Sequence, residues 1–248
     1  MKQKIILTMI LMCSIHCISA QIVKTESKST HMIGIKAAYN MSGAFMSDPT
    51  YTMKNINTFP NFSVSYTNYR PLWERIDLFG FQLSLSKMQQ GYESELVYYS
   101  GASMQVDSTV NTIVKYNNYL LPFISQFHID FWKMRLLLNA GGFAGYRTER
   151  SMVTNIHKQA IASRPESYYT VEESGFTTGD YRWDYGFTAG GGLAFVFKPF
   201  ELHLETNYNY SFAYLHTPDK FDVNKSYLKY LFTHPHQLYF SLSLHFHL

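Results

Sequence analysis

From Gln237 to Leu248 apolar and polar side chains alternate almost without exception. Leu238, Phe240, Leu242, Leu244, Phe246 and Leu248 share one face, and Gln237, Tyr239, Ser241, Ser243, His245 and His247 share the other. A period of two predicts a β-strand with one face in an apolar medium and the other against polar groups. A strand this long exceeds most soluble strands and resembles those that cross a bilayer.

Seven earlier segments read the same way. His31–Met46 places Ile33, Ile35, Ala37, Tyr39 and Met41 opposite Gly34, Lys36, Ala38, Asn40 and Ser42. Asn61–Tyr69 sets Phe62, Val64 and Tyr66 against Asn61, Ser63, Ser65 and Thr67, and a short turn at Arg70-Pro71 leads to Asp77–Tyr92. There Phe79, Phe81, Leu83 and Leu85 oppose Gly80, Gln82, Ser84 and Ser86. The fourth strand, Thr112–Ile129, contains Pro122, which removes a ladder donor and predicts a bulge or local break. Arg135–Arg147 has no clear facing, although Phe143 fits an inward position over small glycines. Tyr181–Phe197 and Phe200–Tyr210 form a hairpin through Lys198-Pro199, and the terminal strand completes the set.

The connections alternate in length. Three short turns (Arg70-Pro71, Asp130–Met134, Lys198-Pro199) interleave with four long polar segments, including Glu93 to about Asn111, about Thr148 to Asp180, and about Ser211 to Pro235. The expected fold is all-β: an eight-stranded antiparallel up-and-down transmembrane β-barrel with short periplasmic turns and long extracellular loops. Trp73 and Trp132 fall in two of the turns, and Trp183, Tyr185, Tyr208 and Tyr210 near the opposite rim, where interfacial aromatics belong. A soluble barrel would invert the faces, and alternation alone does not distinguish the two.

The start of the chain favours the membrane. Lys2 and Lys4 precede an apolar stretch from Ile5 to Ile18, and Ser19-Ala20 offers a small-residue cleavage site, so residues 1–20 read as a secretory signal peptide. A polar leader follows over 21–30, and the barrel domain covers 31–248. Both cysteines, Cys13 and Cys17, lie in the signal segment, so the exported chain would hold no disulfide. The expected location is the bacterial outer membrane after cleavage near Ala20. Net charge is only +3, and no Lys/Arg run provides the clustered basic face that nucleic-acid binding needs. Tyr and Phe are abundant, at 20 and 19, although mean hydropathy is slightly negative. Half-apolar strands reconcile the two.

The segments GIKAAYN (34–40), NYLLPFISQF (118–127), LLLNAGGFAGY (136–146), WDYGFTAGGGLAF (183–195), LHLETNYNYSF (202–212) and LYFSLSLHF (238–246) resemble, in order and spacing, the PorT-like outer-membrane β-barrel family of Bacteroidota. Most specific are the strand around Pro122 and Asp184-Tyr185-Gly186 ahead of the glycine cluster. The chain departs from the family at Leu83-Ser84-Leu85-Ser86, where a Glu-Leu-x-Tyr strand is common, and at its His247-Leu248 end. The resemblance implies the barrel fold and, through PorT itself, an accessory role in type IX protein export.

Inward positions expected to form a lumen polar network are Lys36, Gln82, Gln126, His128, Asn139, Asp184, Glu201, His203, Glu205, His245 and His247. In an eight-stranded barrel such groups pair with one another and fill the bore, so an open pore is not expected. Glu201, His203 and Glu205, with Glu201 opposite His245, have zinc-ligand chemistry, but any polar strand face yields this spacing. Ser243 and His245, with Glu201 as orienting carboxylate, form the one candidate hydrolytic set, and both project away from lipid. Gly190-Gly191-Gly192 lacks the Gly-Lys-Ser/Thr of a phosphate loop. The reading therefore assigns no catalytic residue, metal or cofactor. Its partners are outer-membrane lipid and other envelope or secretion proteins, reached through the loops. The third loop carries Arg147, Arg150, His157, Lys158, Arg164 and Glu166, and the fourth carries Asp219-Lys220-Phe221-Asp222, Lys225 and Tyr230. The function expected is structural or partner-binding, with export accessory and lipid hydrolase as alternatives.

Overall fold

The computed structural model describes residues 29–46, 51–72, 76–100, 105–160, 165–177, 180–215 and 233–248. The signal segment, both cysteines, Trp73, Arg164 and the fourth-loop residues 219–230 lie outside them. Among the described residues ten strands run in order: β1 (Thr30–Met46), β2 (Tyr51–Lys54), β3 (Ile56–Leu72), β4 (Ile76–Ser100), β5 (Gln105–Phe131), β6 (Met134–Lys158), β7 (Ser167–Ser174), β8 (Trp183–Phe197), β9 (Phe200–Ser211) and β10 (Thr233–His247). Eight form a ring, β4-β3-β1-β10-β9-β8-β6-β5, which closes because β5 also pairs with β4. The pairings are antiparallel, and the first and last strands meet from Met32↔His247 to Met46↔Thr233. β2 and β7 stand outside the ring, on β4 and β6 respectively.

Period-two patterning decides which side faces inward. Ile35, Phe62, Val64, Leu85, Phe123, Leu138 and Leu242 are exposed on the outer wall, whereas Gln82, Gln126, Asn118, Glu201, His203 and His245 are buried inside. This reverses the arrangement of a soluble core, and it suits a wall bathed in hydrocarbon, where closure leaves no unpaired strand edge. The same parity settles β6: Arg135, Leu137, Asn139, Phe143 and Arg147 point inward. Phe143 fits because Gly186 faces it; a Cβ there would lie 2.9 Å from the Phe143 ring and 1.9 Å from the Tyr210 carbonyl oxygen. At Pro122 the β4–β5 ladder breaks between Leu83↔Phe123 and Ser86↔Leu120 without a change of register.

The strands differ in length. β8, β9 and β10 have 15, 12 and 15 residues, while β4, β5 and β6 have 25, 27 and 25. The latter are more than twice the roughly 9–11 residues that cross a bilayer. Of the segments read as loops, 93–100, 105–111 and 148–158 are therefore strand, paired through Val97↔Thr109 and on to Ser108↔Lys158. With β2 and β7 they build a sheet that projects from the end opposite the chain termini.

Candidate functional site

The interior is arranged in levels, and all eleven residues of the expected polar network point into it. Ten are buried; His247 keeps a quarter of its side-chain surface at the mouth nearest the termini. Glu201, from β9, is the hub of the lowest level. Its carboxylate accepts hydrogen bonds from Arg135 Nη1 at 3.2 Å to both oxygens and pairs with His203 Nε2 at 3.0 Å, while His247 Nε2 stands 3.1 Å away. Arg135 also donates from Nε to Asp130 at 2.6 Å and lies over the Tyr69 ring, 4.4 Å from its centroid. His128 approaches the same Asp130 carboxylate at 3.1 Å.

Above this, Lys36 forms an ion pair with Glu205. The other Glu205 oxygen accepts from Gln126 at 3.3 Å and Asn139 at 3.2 Å, and Asn139 donates to Asn207 at 3.1 Å. Tyr69 donates its hydroxyl to Gln126, tying the two levels together. Gln82, also buried, donates to Thr67 at 3.3 Å. An apolar layer of Ala38, Met88, Leu120, Phe143 and Tyr239 comes next. Ala38 is the inward position after Lys36, Met88 lies between Ser86 and Gln90, and Leu120 is the inward neighbour of Asn118.

The upper level centres on Arg147, whose Nη2 lies 3.1 Å from Asp184 and whose Nη1 donates to the Tyr181 and Tyr214 carbonyls at 2.7 and 2.9 Å. Asp184 also accepts from Ser211 and from Asn118 at 3.3 Å. A void bounded by Lys36, Ala38, Ser84, Met88, Pro122 and Tyr239 measures about 10 Å³, room for no more than about one water.

This geometry corrects the sequence reading at two arginines. Arg147 is fully buried in the lumen, not a residue of the third loop. Arg150 is largely buried too, 3.5 Å from Asp180. Arg147 follows the unbroken parity of β6, and a bulge just beyond it explains Arg150: Asn118 pairs with Arg147 but Asn117 with Glu149, so the extra residue reverses the parity and turns Arg150 inward as well. Sequence reasoning also missed Arg135, Tyr69 and Asp130. Arg135 was detectable, because Asn139 was already placed inward and lies four positions along the same strand.

The candidate hydrolytic set does not assemble. Ser243 Oγ lies 3.0 Å from His245 Nε2, and Glu201 is the Cα partner of His245. Its carboxylate, however, is engaged by Arg135 and His203, and His245 Nδ1 is buried with no hydrogen-bond partner among the described residues. Among the described residues no carboxylate orients the imidazole. His203 and His245 instead stack, with ring centroids 4.0 Å apart. Nor, among the described residues, do three or more His, Cys, Asp or Glu side chains converge to hold a metal ion.

No protein-family model matches the chain, and no curated protein matches it in sequence. Solved structures similar to it include Ail, the attachment invasion locus protein of Yersinia pestis, at 12% identity and a TM-score of 0.34, covering 87% of this chain and 98% of that one. Neisserial surface protein A is similar at 12% identity and a TM-score of 0.32, covering 89% and 99%. A Pseudomonas aeruginosa FadL homologue follows at 9% identity and a TM-score of 0.22, covering 88% and 90%. The fold itself rests on the strand pairing described above.

Proposed function

We propose that this chain is an integral barrel of the bacterial outer membrane, exported after cleavage near Ala20, with a sealed lumen and a structural or partner-binding role. The observation that carries this reading is a contrast. The interior is filled by side chains whose charged groups pair with one another, while three strands run far past the apolar wall as an accessible sheet. At its outer edge β7 pairs, among the described residues, with β6 alone, and seven of its eight residues are exposed, among them Tyr168, Tyr169 and Val171. A free edge with exposed aromatics can accept a strand from another protein.

Two measurements test the barrel. Unboiled protein should run faster on a denaturing gel than boiled protein, and the pure protein in planar bilayers should give no steady, porin-sized conductance. Stable large steps would refute the sealed lumen. For the partner role, Thr170→Pro should interrupt β7 as a template without touching the wall. Proteins that co-purify with the intact barrel from outer membranes should be lost from this variant; an unchanged set would remove the edge from the proposal.

The resemblance to PorT-like barrels supports a narrower version, in which the partners belong to a protein-export machine. Deleting the gene and scoring the secretion of exported proteins tests that version separately.

A further inference from the structure

We infer that the outer wall carries a site for a phosphorylated, acylated lipid of the outer leaflet, with an acyl chain in a groove floored by Ala37 and the phosphate at Lys87 and Tyr119. The inference rests on the outer-membrane reading and gives its lipid contact a defined place and chemistry.

The groove arises because a small residue stands among large ones. On the lipid-facing side Ala37 is flanked by its register partners Phe62 on β3 and Leu242 on β10, both half exposed. The depression between them continues past Leu85 to Lys87 and Tyr119 as an open groove of about 620 Å³. A smooth apolar wall holds any chain anywhere along it; a groove bounded by larger side chains favours one position.

Lys87 supplies the second, independent observation. The outer face of β4 ascends through Phe79, Phe81, Leu83 and Leu85, and Lys87 is the next outward residue and the first charge. It is exposed, and no hydrogen bond or ion pair engages it among the described residues. Its register partners are Phe62 and Tyr119. The lysine stem can thus lie along the apolar end of the groove while its ammonium and the Tyr119 hydroxyl remain available to an anion. Lys87 also stands toward the projecting sheet along β4, the side on which the outer-membrane reading puts the outer-leaflet phosphates. Cation and groove together match an anionic head above an acyl chain.

Native mass spectrometry of the detergent-solubilised full barrel, with lipid A as the probe, tests the site. Wild type should retain one lipid A per barrel. Lys87→Gln should weaken binding about tenfold, the scale of one charge-assisted hydrogen bond, and Ala37→Phe, which fills the groove, should weaken it at least as much. Lipid A stripped of phosphate should bind wild type no better than intact lipid A binds Lys87→Gln. Each variant is checked for the gel shift on boiling: loss of that shift in wild type would strike the barrel reading itself. Equal retention by wild type and both variants, all with the shift intact, would overturn the site. So would preferential retention of a zwitterionic phospholipid.

Discussion

Ion pairs in the lumen and ion pairs on the projecting sheet use the same side chains in different media. The partners of Lys36–Glu205 are 6% and 0% exposed, and those of Arg147–Asp184 0% and 1%. On the sheet, Lys54–Glu95 and His157–Glu166 close to 2.6 and 2.7 Å, yet their partners are 30–51% exposed. Separation therefore does not rank these pairs; solvent does. Water can replace either partner outside, whereas inside the loss of one leaves its counterpart charged and dry. The lumen pairs lock the strands together, and the outer pairs mainly keep a long sheet soluble.

Lys36→Met tests this contrast where the effect should be largest. Glu205 would keep only the amide donors of Gln126 and Asn139, and stranding it should cost about 3–5 kcal/mol in reversible urea unfolding from lipid vesicles. Replacing both partners, Lys36→Met with Glu205→Leu, should recover most of that loss. If single and double variants unfold alike, water reaches Glu205 and the lumen is not sealed. Lys54→Met on the sheet should leave the unfolding midpoint where it is.

Arg147→Met should cost a comparable amount, about 3–5 kcal/mol, because Asp184, like Glu205, would keep only two neutral donors, Ser211 and Asn118, for a buried charge. The signature is local: Arg147 binds the carbonyls of Tyr181 and Tyr214, and amide exchange near those two segments should accelerate well before the wall strands respond. Uniform acceleration around the barrel would mean that the upper level is as global as the lower one.

The contrast in medium also explains what the sequence revealed. Inside the membrane one face meets lipid and the other the lumen, so alternation is sharp: the outward Ile33–Ile35, Phe79–Leu85 and Leu238–Leu248 series could be assigned by inspection. The Lys198-Pro199 turn set Leu193 opposite Leu204, and with it the inward direction of Glu201, His203 and Glu205. Beyond the apolar wall many residues of β4, β5 and β6 are only half-buried on either face, the period-two signal weakens, and strand residues such as Glu93, Glu95 and Asn111 look like loop. Arg147 was obscured for a related reason. It stands where the pattern fades, one residue before a bulge that no local composition announces.

The smallest effect expected lies on the sheet, in the hairpin of β6 and β7. Glu166 accepts hydrogen bonds from the Tyr168 hydroxyl at 2.7 Å and from His157 at 2.7 Å, and these, the Tyr168 bond first, hold its carboxyl below the ordinary glutamate range. A carboxyl depressed on folding contributes stability that is fully present above its unfolded value and is lost as pH falls through the lower folded value. The hairpin should accordingly loosen only in acid, below the usual glutamate range. Tyr168 reports the change, because its ring stacks on His157 at 4.3 Å with planes 5° apart. Its ring-proton NMR shifts should move in that window while the urea midpoint of the wall stays unchanged. Tyr168→Phe removes the leading donor and should raise the pH at which the hairpin loosens, since Glu166 then keeps only His157. An acid transition that moved the wall and the hairpin together would erase the distinction between sealed and solvated charge.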